Sequence, residues 1–330
     1  MIKKTTVFAL FALFICTLAL LLFSGTSFAA TTIKIGHVLN ADHSWNTNLV
    51  GFANEVKKET SGRVNIQIYP SGQLGNEKDV IEGLILQTVD GGLIGGGSFQ
   101  SIDPKFGIEA LPYAWPTHEA AYKAYDGKIG NILLAILAKK GIVGLSWWEN
   151  GFRHITNNKR PIVKPSDLEG IKIRVTPDKM RLDTFKLLGA APVAINFGEL
   201  YSSLQQGVVD GQENPYAIIY SSAFYEVQKY LSKSSHIWGS ALLCVNDSVW
   251  KKLSDKDQAT VKKLAAKWCT IQRKQTIAQE DDFLNKLKAK GMKVNEIDKA
   301  AFQKAVQPIW KEYESVFGKD LIDLVREYGK

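Results

Sequence analysis

The chain has 330 residues, 41 Lys and Arg against 33 Asp and Glu for a formal charge of +8, and 3 Cys. That length allows two domains with proper cores. The lysines are spread along helical stretches beside acidic residues and no dense basic block occurs, which argues against nucleic-acid binding; the mild positive field instead suits anionic solutes.

Lys3 and Lys4 precede an uncharged apolar run from Val7 to Phe23, and Ser27-Phe28-Ala29 has the small-x-small form of a cleavage site. Residues 1–29 therefore read as a secretory signal peptide, with removal after Ala29 and a soluble mature chain in the periplasm. The alternative is an uncleaved anchor helix, because the run nearly spans a bilayer. Phe14-Ile15 is too bulky a prelude for Cys16 to be a lipoprotein site. Cys244 and Cys269 remain in the mature chain, and their spacing demands no bridge; two buried thiols acting as small hydrophobes are the simpler expectation.

Thr32 to Gly36 alternates as a first strand, Asn46 to Thr60 reads as a helix, and Val64 to Ile68 alternates again before the turn Tyr69-Pro70-Ser71-Gly72. A helix from Asn76 to Gln87 leads to a glycine-rich strand, Gly91 to Gly97. Thr117 to Lys139 is expected as one helix and Ile142 to Leu145 as a short strand. The alternation restarts after Pro165: strand Ile171 to Val175, helix Asp178 to Leu188, strand Val193 to Ile195, helix Glu199 to Gln206. The fold class is α/β, in two units joined near Phe152 to Asn158. Residues 30–152 and 240–280 are assigned to the first lobe, 153–239 and 281–330 to the second, with a cleft between.

From Asp255 to Lys290 there is no Gly or Pro, enough for a helix of roughly 50 Å. Val261, Leu264, Trp268 and Ile271 hold a heptad seam, but Gln275, Ala278 and Asp282 break it. One long helix lying across both lobes fits better than a coiled coil.

Enzyme signatures are missing from the sequence. There is no Gly-x-Ser-x-Gly elbow and no His-Glu-x-x-His, and Gly91 to Gly97 lacks the Lys-Ser/Thr of a phosphate loop and the spacing of a dinucleotide site. No catalytic residue and no cofactor are assigned. His37 and His43 are close in sequence, but no third ligand follows at a recognisable spacing, so no metal is expected. Arg174 lies inside the apolar strand Ile171 to Val175. A guanidinium there needs an anion, either Glu169 or Asp178 within the chain or a bound ligand.

Six stretches resemble the DctP-type solute receptors of tripartite ATP-independent periplasmic (TRAP) transporters, in that family's order and spacing. They are Tyr69-Pro-Ser-Gly-Gln-Leu-Gly75, Ala110-Leu-Pro-Tyr113, Asn150-Gly-Phe-Arg-His154 with Lys159-Arg-Pro161, Leu168-Glu-Gly-Ile-Lys-Ile-Arg-Val175, Phe197-Gly-Glu-Leu-Tyr201 and Gly207-Val-Val-Asp-Gly-Gln-Glu-Asn-Pro215. The resemblance implies a two-lobed solute-binding fold with a long helix spanning both lobes. It also implies a monomer that closes over a small organic acid and hands it to the membrane permease subunits of a TRAP transporter.

Carried over, Arg174 matches the arginine that pairs with the ligand carboxylate, a task suited to its planar fork. Asn214 matches an asparagine on the same carboxylate, Arg153 a second basic position, Phe197 an aromatic wall and Glu77 an acid facing the cleft. Plain core packing is the alternative for Phe197, and the first turn of a helix the alternative for Glu77. His37, Trp148 and Trp238 complete the expected ligand-binding set. Trp45 is a further candidate for the wall. Gly95 stands where sialic-acid receptors carry an acid, which counts against sialic acid. With Arg174 and Arg153 at two ends and Glu77 able to accept from a hydroxyl, a C4-dicarboxylate or hydroxy acid is the first expectation. A sugar acid is the alternative, and so is a ligand presented to a signalling partner rather than a permease.

Overall fold

The computed structural model describes residues 30–330; the expected signal peptide, 1–29, lies outside the described residues. Eleven strands form two sheets. The first holds β1 (Thr31–Gly36), β2 (Val64–Tyr69), β3 (Gly91–Gly95), β4 (Ile142–Phe152) and β10 (Trp238–Asn246) in the order β2-β1-β3-β10-β4. The second holds β5 (His154–Asn157), β6 (Lys172–Val175), β7 (Ala191–Ala194), β8 (Gly211–Asn214), β9 (Tyr230–Lys233) and β11 (Lys293–Glu296) in the order β11-β9-β5-β8-β6-β7.

β1 runs parallel to both β2 and β3, the arrangement that strand–helix alternation imposes. β10 is antiparallel to β3 and β4, and every one of its residues is buried. A central strand covered on both faces reads as a continuous apolar run, here Ala241-Leu-Leu-Cys-Val245. The chain passes from the first sheet to the second at Arg153, between β4 and β5, and returns between β9 and β10. The two crossings are tied by Arg153 N–H donating to Ile237 O at 2.9 Å.

The 35-residue helix Asp255–Ala289 starts on the Ser254 cap, with Asp255 and Asp257 in its first turn and Lys286 and Lys288 in its last, each charge matching the helix dipole. Its buried positions include Gln272 and Arg273 between apolar groups at either end. One core cluster joins this helix, through Leu264, Leu284 and Leu287, to Leu49 and Phe52 of the first lobe and Leu204 and Leu231 of the second. No helix among the described residues is long and apolar enough to cross a membrane.

Three local expectations are corrected. The segment 117–139 is two helices, His118–Asp126 and Lys128–Ala138, because Gly127 leaves the helical conformation (φ −104°, ψ −139°). The glycine row stops pairing at Gly95, and Gly96–Ser101 turns into a 3-10 helix. The C-terminal helices Gln307–Phe317 and Lys319–Tyr328, placed with the second lobe from sequence, bury Ile309, Tyr313, Phe317, Ile322 and Val325 against Leu111, Tyr125 and Trp147 of the first. The i, i+4, i+8 spacing of Ile309, Tyr313 and Phe317 gives the apolar stripe that this docking uses. Cys244 and Cys269 are both free and buried.

Candidate functional site

A cavity lies where strand ends of the two sheets meet, and its lining includes Trp45, Glu77, Asn150, Arg153, Arg174, Phe197 and Asn214. A second space shares Glu77, Ser98, Arg174, Thr176 and Phe197 with it. Ligand sites of open α/β sheets sit at such strand ends, where the loops diverge. Among the described residues no three His, Cys, Asp or Glu side chains are gathered so as to hold a metal ion.

Arg174 comes from β6 and is 2% exposed. Its Nε donates to Ile195 O at 2.8 Å, and its Cζ is 6.0 Å from the centre of the Phe197 ring. Neither partner foreseen within the chain reaches it: Asp178 pairs with Arg181, and Glu169 is exposed. Among the described residues Arg174 forms no ion pair, and the outer nitrogens of its guanidinium have no partner there. Burial above all, with Arg153 and Arg181 nearby, pushes Arg174 down to about 10 against the pull of Glu213 and Glu77. It remains a cation at neutral pH, held in the cavity without a counter-charge of its own.

Arg153 is different. Its Nε lies 2.5 Å from Glu213 Oε2, and its Nη2 donates to Glu213 Oε1 at 2.7 Å and to the Glu213 carbonyl at 2.6 Å. His236 Nε2 stands 3.3 Å from the same carboxylate. Burial alone would raise the Glu213 pKa, but Arg153, the His236 hydrogen bond and Arg181 hold it well below the usual carboxylate range. The charge of Arg153 is thus already matched within the chain, unlike that of Arg174.

Asn214 ends β8 with its amide donating to Gln212 Oε1. Gln212 in turn donates to Thr156 Oγ1 at 2.9 Å, and Thr156 to Gln228 Oε1 at 2.9 Å. This buried chain fixes the Asn214 side chain before any ligand arrives. Glu77 opens the helix Glu77–Leu86 behind the Asn76 capping box. It accepts from Gly95 N at 2.8 Å and Ser98 Oγ at 2.5 Å, in the first turn of its helix and on the lining of both spaces. Gly95 leaves the room this needs, since a Cβ there would stand 3.1 Å from Glu77 Oε1. Phe197 walls both spaces and leans on Phe224, their ring centres 6.0 Å apart.

Three expected residues lie elsewhere. His37 is buried with Nε2 3.2 Å from Asn46 Oδ1, and burial pushes it down to about 4, hence neutral. Trp148 donates to Ser146 Oγ at 3.0 Å inside the core. Trp238 donates to Glu149 Oε1 at 2.6 Å and packs edge-on to Tyr122. None of the three lines either space, because the large indoles fill the centre of the first sheet and find buried acceptors there. Trp45 does reach the cavity, its Nε1 anchored on Glu149 O at 2.8 Å.

The model of the family described as bacterial extracellular solute-binding protein, family 7 (DctP), matches residues 35–316. The chain belongs to this family. It is 37% identical over 277 residues to the solute-binding protein RD1_1052 of Roseobacter denitrificans, covering 84% of this chain and 85% of that one. The crystal structure of RD1_1052, a TRAP periplasmic solute-binding protein with bound L-galactonate, superposes with a TM-score of 0.85 over 92% of this chain and 100% of that one, at 33% identity. A TRAP periplasmic solute-binding protein from Polaromonas sp. JS666 bound to D-erythronate gives 0.87 at 38% identity, covering 90% and 98%. One from Sulfurospirillum deleyianum with bound succinate gives 0.86 at 32%, covering 90% and 99%.

Sequence reasoning missed other lining residues of this DctP-type chain. Arg181 is 2% exposed and spans Asp178 and Glu109, the latter at 3.1 Å. Glu109 also accepts from Ser240 Oγ at 2.7 Å. Asn150 was part of a quoted motif but was given no role. Only tertiary pairing brings these groups to the cavity, and their spacing in sequence carries no signal of it.

Proposed function

We propose that the chain is a periplasmic receptor for a small polyhydroxylated monocarboxylate, an aldonate or uronate, which it delivers to the permease subunits of a TRAP transporter. The observation that carries this reading is the contrast between the two arginines: Arg174 is unpaired and Arg153 is neutralised by Glu213. One carboxylate finds a matching charge in the cavity. A second would be buried against an arginine that is already neutral in effect, and burying an unmatched charge is costly. The rest of the wall offers Glu77 and the amides of Asn150 and Asn214, groups that suit hydroxyls. The relatives holding D-erythronate and L-galactonate support the same class.

A C4-dicarboxylate is the second reading, favoured by the succinate in the Sulfurospirillum deleyianum relative. A thermal-shift panel of purified mature protein against D-erythronate, L-galactonate and succinate separates the two. A ligand at about 100 times its dissociation constant adds about 2.7 kcal/mol of stability. The expected result is a shift with a sugar acid and none with succinate at the same concentration. A shift with succinate alone would replace this reading by the second.

A further inference from the structure

We infer that Asn150 is a specificity-determining residue that reads a hydroxyl group of the bound acid; this rests on the sugar-acid reading above.

Asn150 is the extra residue of a β-bulge. In the pairing of β4 with β10, Gly151 stands opposite Gly239 and Glu149 opposite Ser240, so Asn150 between them has no partner. Bulges gather beside functional sites because the added residue re-aims a side chain that a regular strand would direct elsewhere. The neighbours are shaped to permit it. Gly151 has φ +121°, where a side chain is strained, and a Cβ on it would stand 3.2 Å from Pro215, next to Asn214. Gly239 leaves space across the strand pair, since a Cβ there would come within 3.2 Å of Asn150 Cβ and 3.3 Å of Nδ2.

The residue before the bulge is held from several sides. Glu149 N donates to Gln272 Oε1 at 2.9 Å, and Glu149 O accepts from Trp45 Nε1 at 2.8 Å and Gln272 Nε2 at 3.0 Å. Its buried carboxylate takes Trp238 Nε1, Tyr122 OH and His118. The bulge is therefore a fixed feature of the wall. That side chain lines the cavity with Oδ1 buried and without a partner in the protein.

A buried acceptor of this kind is stabilised by a donor that arrives with the ligand. The ionised carboxylate of the ligand has no proton to give, whereas a hydroxyl donates to Oδ1 and can accept from the same amide. A site built to bond a hydroxyl discriminates against the analogue that lacks it.

The test is a cycle between ligand and protein, read by calorimetric titration. D-Erythronate and its 2-deoxy, 3-deoxy and 4-deoxy acids are titrated into the wild type, Asn150→Ala and Asn150→Ser, with a melting curve of each protein. The expected result is that Asn150→Ala weakens D-erythronate about tenfold or more, while for one deoxy acid the wild type and the variant agree within about threefold. Equal losses for all four acids, or no loss, would overturn the assignment. So would unfolding of both variants before ligand is added, which would make Asn150 a residue of the bulge alone. A wild type that binds none of these four acids and shows no shift with L-galactonate would instead sink the sugar-acid reading on which the inference rests.

Discussion

Glu213 grips Arg153 through two parallel hydrogen bonds, at 2.5 and 2.7 Å, where the chain crosses from one sheet to the other. Both groups are almost wholly buried. Removing one member of a buried pair typically costs about 3–5 kcal/mol, because the other is left uncompensated. Glu213→Gln is expected to destabilise the protein on that scale at pH 7. The folded pKa of Glu213 is held below its unfolded value, so its contribution is present above about pH 4.3 and is lost as the pH falls through the folded value. Urea unfolding of wild type and variant at pH 7, 5 and 3 should show the gap narrowing only at the acid end. A gap unchanged between pH 7 and 3 would mean that folding does not lower the Glu213 pKa.

Arg174 is expected to behave in the opposite way. Truncating one side of a buried, hydrogen-bonded charge pair with a ligand costs about 2–5 kcal/mol, or roughly 30-fold to several-thousand-fold in affinity. Arg174→Lys should recover only part, since an ammonium cannot make two parallel bonds. Without ligand, Arg174→Met should melt no lower than wild type, because it removes a buried cation that has no counter-charge. Calorimetry beside melting curves tests both halves; intact affinity with a clearly lower melting point would make Arg174 a structural residue.

His118 joins three elements, with Nδ1 3.3 Å from Glu149 Oε1 of β4 and Nε2 3.4 Å from Glu280 Oε2 of the long helix. Burial opposes its charge, but the hydrogen bonds and charges of the two carboxylates outweigh burial and raise it to about 10. A raised pKa gives stability that is complete below the unfolded value, about 6.5, and declines as the pH climbs to the folded one. His118→Gln should therefore cost most at pH 6, less at pH 8 and little at pH 10 in urea unfolding. A pH-independent difference would show that folding does not raise the His118 pKa.

Arg174 stands out in the sequence because a charge inside an alternating buried strand has few explanations, whereas Glu77 is singled out only by the family resemblance, since an acid behind a cap has an ordinary structural reading. The state of Arg153 was not legible there, since the residue that neutralises it is 60 positions away and meets it only when β5 pairs with β8. Trp148 and Trp238 carry the same composition signal whether they face a ligand or a core, and the partners that decide, Ser146 and Glu149, are set by the pleat of β4. The bulge at Asn150 depends on a one-residue slip between β4 and β10 that neither strand announces. The return of the last two helices to the first lobe follows from which apolar face was left uncovered, a property of the assembled fold.

The two cysteines bear on how such a chain is made. Cys244 lies in β10 with its sulfur 3.7 Å from Gly92 O, and Cys269 in the long helix 3.0 Å from Trp147 O. Burial pushes both thiols up to about 12, so the reactive thiolate is scarce at neutral pH. Members of an extracellular family meet oxidants while still unfolded, when both sulfurs are exposed and a wrong bridge would trap the chain. Folding here calls for no disulfide catalyst and no redox couple. Dilution from urea should suffice to regenerate the native protein.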